Sequence, residues 1–347
     1  MKVAFYTLGC KVNQYETDLM MKNFEDRGYS VVDFDDIADI YVINSCSVTN
    51  LSSRKSRQMA SKAKRKDGIV VLAGCYAQEL TKSDKLKNVD IVIGNEEKKQ
   101  IVDIVERYIE NGEKVEKVVY KVADISKTIS YVQKDNLNKG INVRESVKIE
   151  DGCNQFCSYC IIPYVRGRVR SRNLDSILSE VNDLVNSGVG EIVLVGIEIA
   201  SYGHDLGENI SLIDVIEKVS LVPGLKRIRL GSLEPRILTD ENIDRLSKIQ
   251  NLCPHFHISV QSLDNNVLKR MNRKYTREDI FNIVDKIREK IEDVAFTCDI
   301  IVGFPGETEE EFENTIDGIN RVQFYEVHTF KYSKRKWTRA AKMENQI

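Results

Sequence analysis

Apolar and polar positions alternate in two successive series along the chain, and each series predicts strands that are followed by helices. In the first series, apolar runs of strand length are separated by longer stretches with the period of an amphipathic helix. Alternation of this kind favours βαβ units and a parallel sheet. The expected strands are KVAFYTLG, YSVVDF, IYVINS, IVVLAG and VDIVIG, and the expected helices are NQYETDLMMKNFEDRG, Ser52–Lys66 and Lys98–Asn111.

A second series begins at Ser146 and again pairs strands with helices. Six strand–helix units joined by right-handed crossovers predict an open barrel of the (β/α) type rather than a closed eight-stranded one. An incomplete barrel leaves a side opening through which a large substrate can reach the centre. The expected strands are VKIED, EIVLVGIE, KRIRLGS, HFHISVQS, AFTCDIIVGF and YEVHTFKYS, and the expected helices are Asp175–Ser187, Leu212–Val219, Asp240–Ile249, Tyr275–Lys290 and Glu307–Asn320.

Together, the two series predict an α/β fold class with two domains. We expect an N-terminal open parallel α/β sheet domain over residues 1–120 and an incomplete (β/α)6 barrel over residues 145–347. The intervening segment, residues 121–144, is polar and weakly patterned, so we interpret it as a linker. A chain of 347 residues is also too long for one ordinary core, which agrees with two domains.

Composition and charge narrow the class of protein. Hydrophobic residues make up 42% of the chain and charged residues 30%, as is usual for globular proteins. No apolar run is long enough to span a membrane and the first residues predict a strand rather than a signal peptide, so we expect a cytoplasmic protein. The formal net charge is −2, but cations cluster in segments that either bind phosphates or form solvated surface. These segments are Arg54–Lys66, Arg166–Arg172 and Lys331–Lys342.

Three cysteines stand close together directly after the first strand of the second series. Cys153, Cys157 and Cys160 lie within the stretch DGCNQFCSYC. Thiolates hold iron–sulfur clusters, commonly with four ligands, so a set of three leaves one iron open for another molecule. Zinc sites usually have four ligands, or three and a water, typically with histidine among them, and no histidine is near in the sequence. The triplet therefore predicts a metal or redox centre at the end of the barrel where active sites are found.

A second set of three cysteines is spread over the first series but repeats one context. Cys10, Cys46 and Cys75 each follow a predicted strand, at separations of about one βαβ unit. The carboxyl ends of parallel strands share one edge of a sheet, so the three thiols are expected to converge there. We interpret them as a second metal site with an open iron, rather than as three small buried residues. Cys253, Cys298 and the four histidines are given no chemical role.

The triplet carries a resemblance to a known family. CNQFCSYC resembles the Cys-x3-Cys-x-aromatic-Cys signature of radical S-adenosylmethionine (SAM) enzymes. The resemblance implies a 4Fe–4S cluster whose open iron chelates the amino and carboxylate groups of SAM, and one electron that cleaves SAM to methionine and a 5′-deoxyadenosyl radical. It also implies cofactor-binding positions, several of them at strand ends, where ordinary turn chemistry is the alternative. They are Tyr159 near the adenine, Gly196 and Glu198 near the SAM amino group, Glu234 and Gln261 near the SAM ribose or the substrate, and Gly303 in VGFPGET.

Nearly the whole chain resembles the methylthiotransferases, in which an N-terminal cysteine set accompanies a radical SAM barrel. The matching segments are LGCKVNQYE, NSCSVTN, LAGCYAQ, the triplet with IIPYVRGRVRSR, DIIVGFPGE and AAKMENQ. The resemblance implies two 4Fe–4S clusters, sulfur that arrives by way of the N-terminal cysteine set, and a methyl group from a second SAM. The segments after Cys10 and after Cys160 look most like the branch that modifies threonylcarbamoyladenosine beside the tRNA anticodon, at carbon two of the adenine.

The same resemblance implies partners for the protein. It implies a tRNA substrate and an electron donor that is flavodoxin- or ferredoxin-like, while the sulfur donor is unknown. Cations beside the triplet become candidates for binding tRNA phosphates or the carboxylate of the substrate. These candidates are Arg166, Arg168, Arg170 and Arg172.

Several alternatives and departures stay open at this point. The alternatives are methylthiolation of isopentenyladenosine in tRNA or of a ribosomal protein, a non-catalytic iron–sulfur redox protein, and a zinc-stabilised RNA-binding module. Family members usually continue into a small C-terminal β-barrel that grips RNA, which we expect to be absent from this chain because it stops at Ile347. Leu263 and Trp337 stand where the family commonly has glycine, so local turn geometry is expected to differ there.

Overall fold

The described part of the chain divides into two compact units. The structure, a computed structural model, describes residues 1–81, 84, 86–111, 118–131, 142–207 and 209–347. The first unit comprises Met1–Leu137 with Ile161–Arg168, and the second comprises Asn138–Cys160 with Val169–Ile347. The segment Ile161–Arg168 therefore belongs to the first unit, although the residues on both sides of it in the sequence belong to the second.

A parallel sheet forms the centre of the first unit. Its strands are β1 (Lys2–Thr7), β2 (Ser30–Val32), β3 (Ile40–Ser45), β4 (Ile69–Gly74), β5 (Ile91–Ile93) and β6 (Val119–Lys121). Within the described residues they follow the order β2-β1-β3-β4-β5-β6, and every neighbouring pair is parallel. β3 and β4 are apolar and buried along almost their whole length, as expected for a parallel sheet with both faces covered.

Helices cover both faces of this sheet. They are α1 (Lys11–Asp26), α2 (Asn50–Lys64), α3 (Cys75–Glu79), α4 (Ile101–Glu110) and α5 (Ile162–Arg166). Apolar side chains of α1 and α4 pack on one face, and those of α2 and α3 pack on the other. α1 ends where the sequence predicts, because Gly28 adopts a left-handed backbone and the Tyr29 N–H donates to the Phe24 carbonyl.

Parallel strands in the second unit form an open arc. The unit contains β7 (Arg144–Lys148), β8 (Glu150–Asp151), β9 (Arg170–Ser171), β10 (Glu191–Val195), β11 (Arg227–Leu230), β12 (His255–Gln261), β13 (Ala295–Val302) and β14 (Glu326–Lys331). Two parallel sheets, β7-β10-β11 and β12-β13-β14, are linked by a parallel bridge between Leu233 and Ile258. Because β7 and β14 are not paired within the described residues, the arc is an incomplete barrel, and the predicted fold class is confirmed.

The helices of the second unit begin at strong capping residues. They are α6 (Leu174–Asn186), α7 (Leu212–Ser220), α8 (Asp240–Leu246), α9 (Asn265–Arg270), α10 (Arg277–Lys290) and α11 (Glu309–Val322). Thr276 with Asp279 caps α10, and Thr308 with Glu311 caps α11, each in a reciprocal capping box. Along β12 the burial alternates from residue to residue, so Phe256, Ile258 and Val260 point into the packed layer.

The structure describes part of the expected linker and both residues that depart from the family pattern. In the segment 121–144, residues 132–141 lie outside the described residues, Lys121 ends β6 and Arg144 begins β7. Trp337 has a φ of 70°, a left-handed conformation that favours glycine, whereas Leu263 is buried against α11. Among the described residues, no helix is both long enough and apolar enough to cross a membrane.

Candidate active site

The structure places the three N-terminal cysteines at one edge of the first unit's sheet. Cys10 follows β1 and directly precedes α1, Cys46 follows β3, and Cys75 follows β4 as the first residue of α3. Since β1, β3 and β4 are neighbours in the sheet, their carboxyl ends bring the three thiols to the same edge. The start of the 16-residue helix α1 also places the positive end of a helix dipole beside Cys10, which favours anionic sulfur.

Two glycines make the close approach of these loops possible. Gly9 and Gly74 precede Cys10 and Cys75, and their φ angles of 102° and 96° are conformations that other residues rarely adopt. A Cβ atom on Gly9 would lie 2.9 Å from Cys46 Cβ and 3.1 Å from Cys46 Sγ. The loop that carries Cys10 therefore packs directly against Cys46, and a larger residue at position 9 would force the two thiols apart.

The Cys46 thiol is buried and lies near the other two thiols of the set. Burial, together with the negative charges of the neighbouring Cys75 and Cys10 thiols, raises its pKa to about 11. The backbone N–H of Val48 donates to Cys46 Sγ at 3.5 Å, which opposes this rise. A positive metal centre beside these thiols would oppose the rise and favour the thiolate form.

A buried arginine contacts the third thiol of this set. Arg166 of α5 is completely buried, and its Nε–H donates to Cys75 Sγ at 3.2 Å. The two terminal nitrogens of its guanidinium bind the Glu16 carboxylate, and one also donates to Asn13 Oδ1. Lys98, itself buried, forms a second ion pair with Glu16 at 2.5 Å. The site therefore has a fixed hydrogen-bond donor whose charge is balanced by a carboxylate.

The second cysteine set lies in the second unit and directly follows β8. The Gln155 N–H donates to Cys153 Sγ at 3.4 Å, and Arg273 donates to Cys157 Sγ at 3.2 Å. Burial raises the pKa of the Cys153 thiol, with further contributions from the negative charges of Glu198 and the other two cysteines. These three cysteines and the carboxylate of Glu198 therefore occupy one region of the unit.

Arg273 is held by neutral groups rather than by a carboxylate. Its Nε–H donates to the Tyr275 hydroxyl at 2.7 Å, and its second terminal nitrogen donates to the Ser259 carbonyl at 2.9 Å. Its guanidinium also stacks on the Tyr275 ring, 4.8 Å from the ring centroid. The positive charge beside Cys157 is thus kept in place without a carboxylate among these hydrogen-bond partners.

Acidic side chains gather where the barrel strands end. Glu198 follows β10, and burial together with the charge of Glu234 raises its pKa to about 7. Glu150 is completely buried, and burial also raises its pKa well above the ordinary value. One carboxylate oxygen of Glu150 accepts the Glu198 N–H, while Oε1 of each residue has no hydrogen-bond partner among the described residues. Buried acceptors without donors mark a place where a ligand with N–H groups fits.

Gly196 provides close packing at the same strand end. A Cβ atom at this position would lie 2.7 Å from Ile199 Cγ2 and 2.8 Å from Glu150 Oε2. The missing side chain is what allows Glu150 to approach the turn between Val195 and Ile199. Glu234, after β11, is connected to the cysteine triplet because it binds Arg236, which donates to Gln155 at 3.1 Å.

The remaining cofactor candidates occupy three further positions in the second unit. Tyr159 packs against the apolar cluster that contains Met271 and Phe304, and burial raises its pKa well above the ordinary value. Gln261 ends β12 with a φ of 67°, at an irregularity in the register with β13. Gly303 has a φ of 70°, and its N–H donates to Glu307 at 2.6 Å. Left-handed backbone at Gln261 is strained for a residue other than glycine, as is often seen at functional sites.

Three of the four arginine candidates are buried in the structure. Arg166 is buried against Cys75 and Glu16, Arg172 is buried in an ion pair with Glu180, and Arg170 is buried near Asp151. A guanidinium that is buried in such pairs does not reach a phosphate on the protein surface. Arg168 is exposed, so it is the one of the four that such a phosphate can reach.

Sequence reasoning missed the residues that surround the sulfur atoms. Glu16, Lys98 and Arg273 received no role, and Arg166 received a different one. Glu16 lies in LGCKVNQYE six residues after Cys10, so its position in a matching segment was a usable signal. For Arg273 the sequence offers no comparable signal, since its partners Cys157 and Ser259 come from distant parts of the chain.

Both cysteine sets have a donor set suited to an iron–sulfur cluster. Each provides three thiols, and N–H groups donate to sulfur in both. Within the described ranges, no three His, Cys, Asp or Glu side chains are arranged to bind a single metal ion. A cluster has a different requirement, because each cysteine binds a different iron.

Comparisons with known proteins agree with this description. The model of the Radical SAM superfamily matches residues 147–319, and that of the Uncharacterized protein family UPF0004 matches residues 2–94. In fold, the chain is similar to the radical S-adenosylmethionine methyltransferase TsrM from Kitasatospora setae. The TM-score is 0.69 at 15% identity, and the match covers 98% of this chain and 76% of that one. The fold and the cysteine triplet thus define a radical SAM enzyme.

Curated relatives specify the family. Threonylcarbamoyladenosine tRNA methylthiotransferase MtaB from Bacillus subtilis (strain 168) is 42% identical, over 99% of this chain and 76% of the relative. A tRNA-2-methylthio-N(6)-dimethylallyladenosine synthase from Acetivibrio thermocellus is 36% identical, over 98% of this chain and 72% of the relative. The chain belongs to the radical SAM methylthiotransferase family, as the sequence motifs predicted.

Proposed function

We propose that this enzyme methylthiolates threonylcarbamoyladenosine next to the tRNA anticodon, at carbon two of the adenine, with two 4Fe–4S clusters and SAM. The observation that carries the proposal is the presence of two sets of three cysteines, one in each unit. Each set is supported by N–H groups that donate to sulfur. A radical SAM enzyme that only cleaved SAM would need the set in the second unit alone.

Residues of the second unit would hold one cluster and SAM. Cys153, Cys157 and Cys160 are the proposed ligands, and the cluster with SAM supplies the one-electron chemistry that activates the substrate C–H bond. The unpartnered oxygen of Glu198 would accept a hydrogen bond from the SAM ammonium group, and Gly196 lets Glu150 pack against the same turn. We assign Tyr159, Glu234, Gln261 and Gly303 to the surroundings of the adenosine part or of the substrate.

The first unit would hold the second cluster, which would supply the sulfur for the product. Cys10, Cys46 and Cys75 are the proposed ligands, and three thiolates leave one iron open for a sulfur atom. A second SAM molecule would provide the methyl group. A flavodoxin- or ferredoxin-like protein is the proposed electron donor, because the chemistry needs single electrons that the chain does not itself supply.

The choice of threonylcarbamoyladenosine over isopentenyladenosine rests on the relatives. The Bacillus subtilis relative named for the first substrate is 42% identical, and the Acetivibrio relative named for the second is 36% identical. A difference of this size favours the first substrate, while the second is the main competing outcome of the experiment below.

Exposed cations supply candidate surfaces for tRNA phosphates. Arg54, Lys55 and Arg65 are exposed in or beside α2, in the first unit. A second group is exposed in the last basic segment of the second unit. It comprises Lys334, Lys336, Arg339 and Lys342. Together with Arg168, these residues replace the buried arginines as the proposed electrostatic contacts, which carry no base specificity of their own.

Anaerobic reconstitution followed by a tRNA assay tests the proposal. We expect about eight iron and eight sulfide atoms per chain, since two four-iron clusters require them. With SAM and a reductant, tRNA that contains threonylcarbamoyladenosine should gain a methylthio group that mass spectrometry of nucleosides detects. A matched tRNA that contains isopentenyladenosine serves as the competing substrate.

Each contrary result removes a defined part of the proposal. About four iron atoms per chain would eliminate the second cluster. If only the isopentenyladenosine tRNA gained the methylthio group, the substrate would be isopentenyladenosine instead. If reduced protein with SAM released no 5′-deoxyadenosine, the chain would be an iron–sulfur redox protein without this catalysis.

A further inference from the structure

We propose that Arg166 is a positioning residue that tunes the reduction potential of the cluster held by Cys10, Cys46 and Cys75. The inference rests on the second cluster of the proposed function. It assigns Arg166 a role different from the RNA contact that the sequence suggested. The role follows from where each nitrogen of its guanidinium points.

All three nitrogens of the Arg166 guanidinium are committed in the structure. Nε–H donates to Cys75 Sγ at 3.2 Å, one terminal nitrogen binds Glu16, and the other binds Glu16 and Asn13. The side chain is completely buried, so water does not compete for these bonds. A planar group held along two edges cannot rotate, which fixes the direction of the N–H bond toward sulfur.

A purely structural ion pair does not require this geometry. Glu16 is already paired with the buried Lys98 at 2.5 Å, so its charge has a partner without Arg166. A second cation brought into the same interior carries a desolvation cost, and the Nε–H of its guanidinium donates to a thiol rather than to a carboxylate. A requirement of the Cys75 sulfur atom for a hydrogen-bond donor explains why a second cation is buried here.

Thiolate sulfur in a cluster is where such a donor has an effect. A hydrogen bond to a ligand sulfur, and a positive charge near it, stabilise the more negative reduced cluster and so raise its reduction potential. Asn95 adds a second, longer contact, since its Nδ2 lies 3.8 Å from Cys75 Sγ and also donates to the Val165 carbonyl. It thereby holds α5, and with it Arg166, against the thiol.

The test uses the full-length chain with the other cluster removed. In the background Cys153→Ala/Cys157→Ala/Cys160→Ala, the N-terminal set is the remaining site, and its midpoint potential is measured by redox titration followed by electron paramagnetic resonance. Arg166→Lys keeps the charge but lacks the directed Nε–H, so the potential should become more negative. Glu16→Gln keeps the donor and removes the balancing carboxylate, so the potential should become more positive.

Arg172→Lys is the matched control, because Arg172 forms a buried pair with Glu180 and donates to no sulfur among its described contacts. Opposite shifts in the two test variants, with none in the control, support the proposal. Equal potentials in Arg166→Lys and the background overturn it, as does a shift of the same sign in both test variants. If Arg166→Lys binds no cluster, Glu16→Gln alone tests the proposal. A more positive potential supports it, and an unchanged or more negative potential overturns it.

The failure of the proposed function looks different. In that case the background protein itself binds no iron at the N-terminal set, before any change at Arg166 or Glu16. A background protein that holds a normal cluster, with variants that do not shift its potential, rejects only the role of Arg166.

Discussion

The two cysteine sites are built on a common plan. In each, one thiol accepts the backbone N–H of the residue two positions later, at 3.5 Å from Val48 to Cys46 and 3.4 Å from Gln155 to Cys153. In each, a second thiol accepts an N–H from an arginine at 3.2 Å. Two unrelated sheets in one chain thus give sulfur the same pair of donors.

The sites differ in what holds the arginine. Arg166 binds the carboxylate of Glu16, whereas Arg273 binds a tyrosine hydroxyl and a backbone carbonyl. In the first site, one carboxylate pairs with two buried cations, Arg166 and Lys98. The second combines the charge of Arg273 with buried carboxylate oxygens of Glu150 and Glu198 that lack partners among the described residues. The proposed ligand SAM has both positive and negative groups in its amino-acid part, which suits such a site.

The largest expected effect is that loss of a cysteine from each set abolishes a different part of the reaction. Cys157→Ala should abolish release of 5′-deoxyadenosine from SAM and also product formation, because it removes a proposed ligand of the cluster that would bind SAM. Cys46→Ala should keep the release of 5′-deoxyadenosine and abolish only the methylthio product. Liquid chromatography of the small molecules and mass spectrometry of tRNA nucleosides measure the two outcomes.

Cys253→Ala is the control for these variants, since Cys253 is buried in the barrel and belongs to neither set. It should retain both activities. Equal loss of 5′-deoxyadenosine in Cys46→Ala and Cys157→Ala would show that the sites do not divide the reaction in this way.

A second prediction concerns the stability that each arginine provides. Arg166→Met removes the hydrogen bonds of the guanidinium to Glu16, Asn13 and Cys75, while Glu16 stays paired with Lys98, so a loss of about 3 kcal/mol of unfolding free energy is expected. Arg273→Met leaves neutral groups behind, so about 1–3 kcal/mol is expected. Urea unfolding of the metal-free protein measures both. A larger loss for Arg273→Met would contradict the contrast between the two sites.

The third prediction uses the raised pKa of Glu198, which is about 7 in the folded protein and 4.5 without the shift. Between these values the unfolded chain has released the proton while the folded protein retains it. The free energy of unfolding should therefore fall as pH rises across this window, by at most about 3 kcal/mol. Glu198→Gln should flatten part of the fall, leaving the contribution of Glu150.

Urea unfolding at several pH values checks this slope, and Glu289→Gln, at an exposed acid, is the control that should keep it. A wild-type slope in Glu198→Gln would show that this carboxyl is ionised in the folded protein at low pH.

The smallest effect concerns backbone strain. The left-handed positions beside the N-terminal cysteines are glycines, whereas the barrel has Gln261 at a φ of 67°. Gln261→Gly should raise the free energy of unfolding by about 1 kcal/mol, since the left-handed conformation costs other residues that much. Gln261→Ala, which keeps the Cβ atom, should not. A thermal melt of each variant gives the answer, and equal melting temperatures would exclude strain at this position.

Most of the fold could be predicted from periodicity, and the reason is visible in the burial. β3 and β4 are mostly apolar and are buried along almost their whole length, so the pattern in the sequence records their surroundings directly. Helix starts at Thr276 and Thr308 were also readable, because capping depends on residues only three positions apart. The assignment of Ile161–Arg168 to the first unit was not, since nothing local distinguishes that segment from its neighbours.

The candidate site was predictable as far as its chemistry is local. Cysteines at strand ends could be grouped because the topology of a parallel sheet determines where strands finish. The roles of the arginines could not be assigned, because a charged residue is expected on the surface unless its partner is known. Arg166 and Glu16 lie 150 positions apart in the chain, and only folding brings them into one buried pair.

The route of the chain through α5 has a consequence for dissecting this enzyme. A fragment that ends at Leu137 contains the sheet and three cysteines but lacks Ile161–Arg168, and therefore the guanidinium beside Cys75. Hybrids that exchange barrels between relatives face the same difficulty. Two additional junctions, around residues 160 and 168, are needed so that this short peptide travels with the N-terminal part. The two units are therefore not separate in sequence, because eight residues of the first unit stand between two segments of the second.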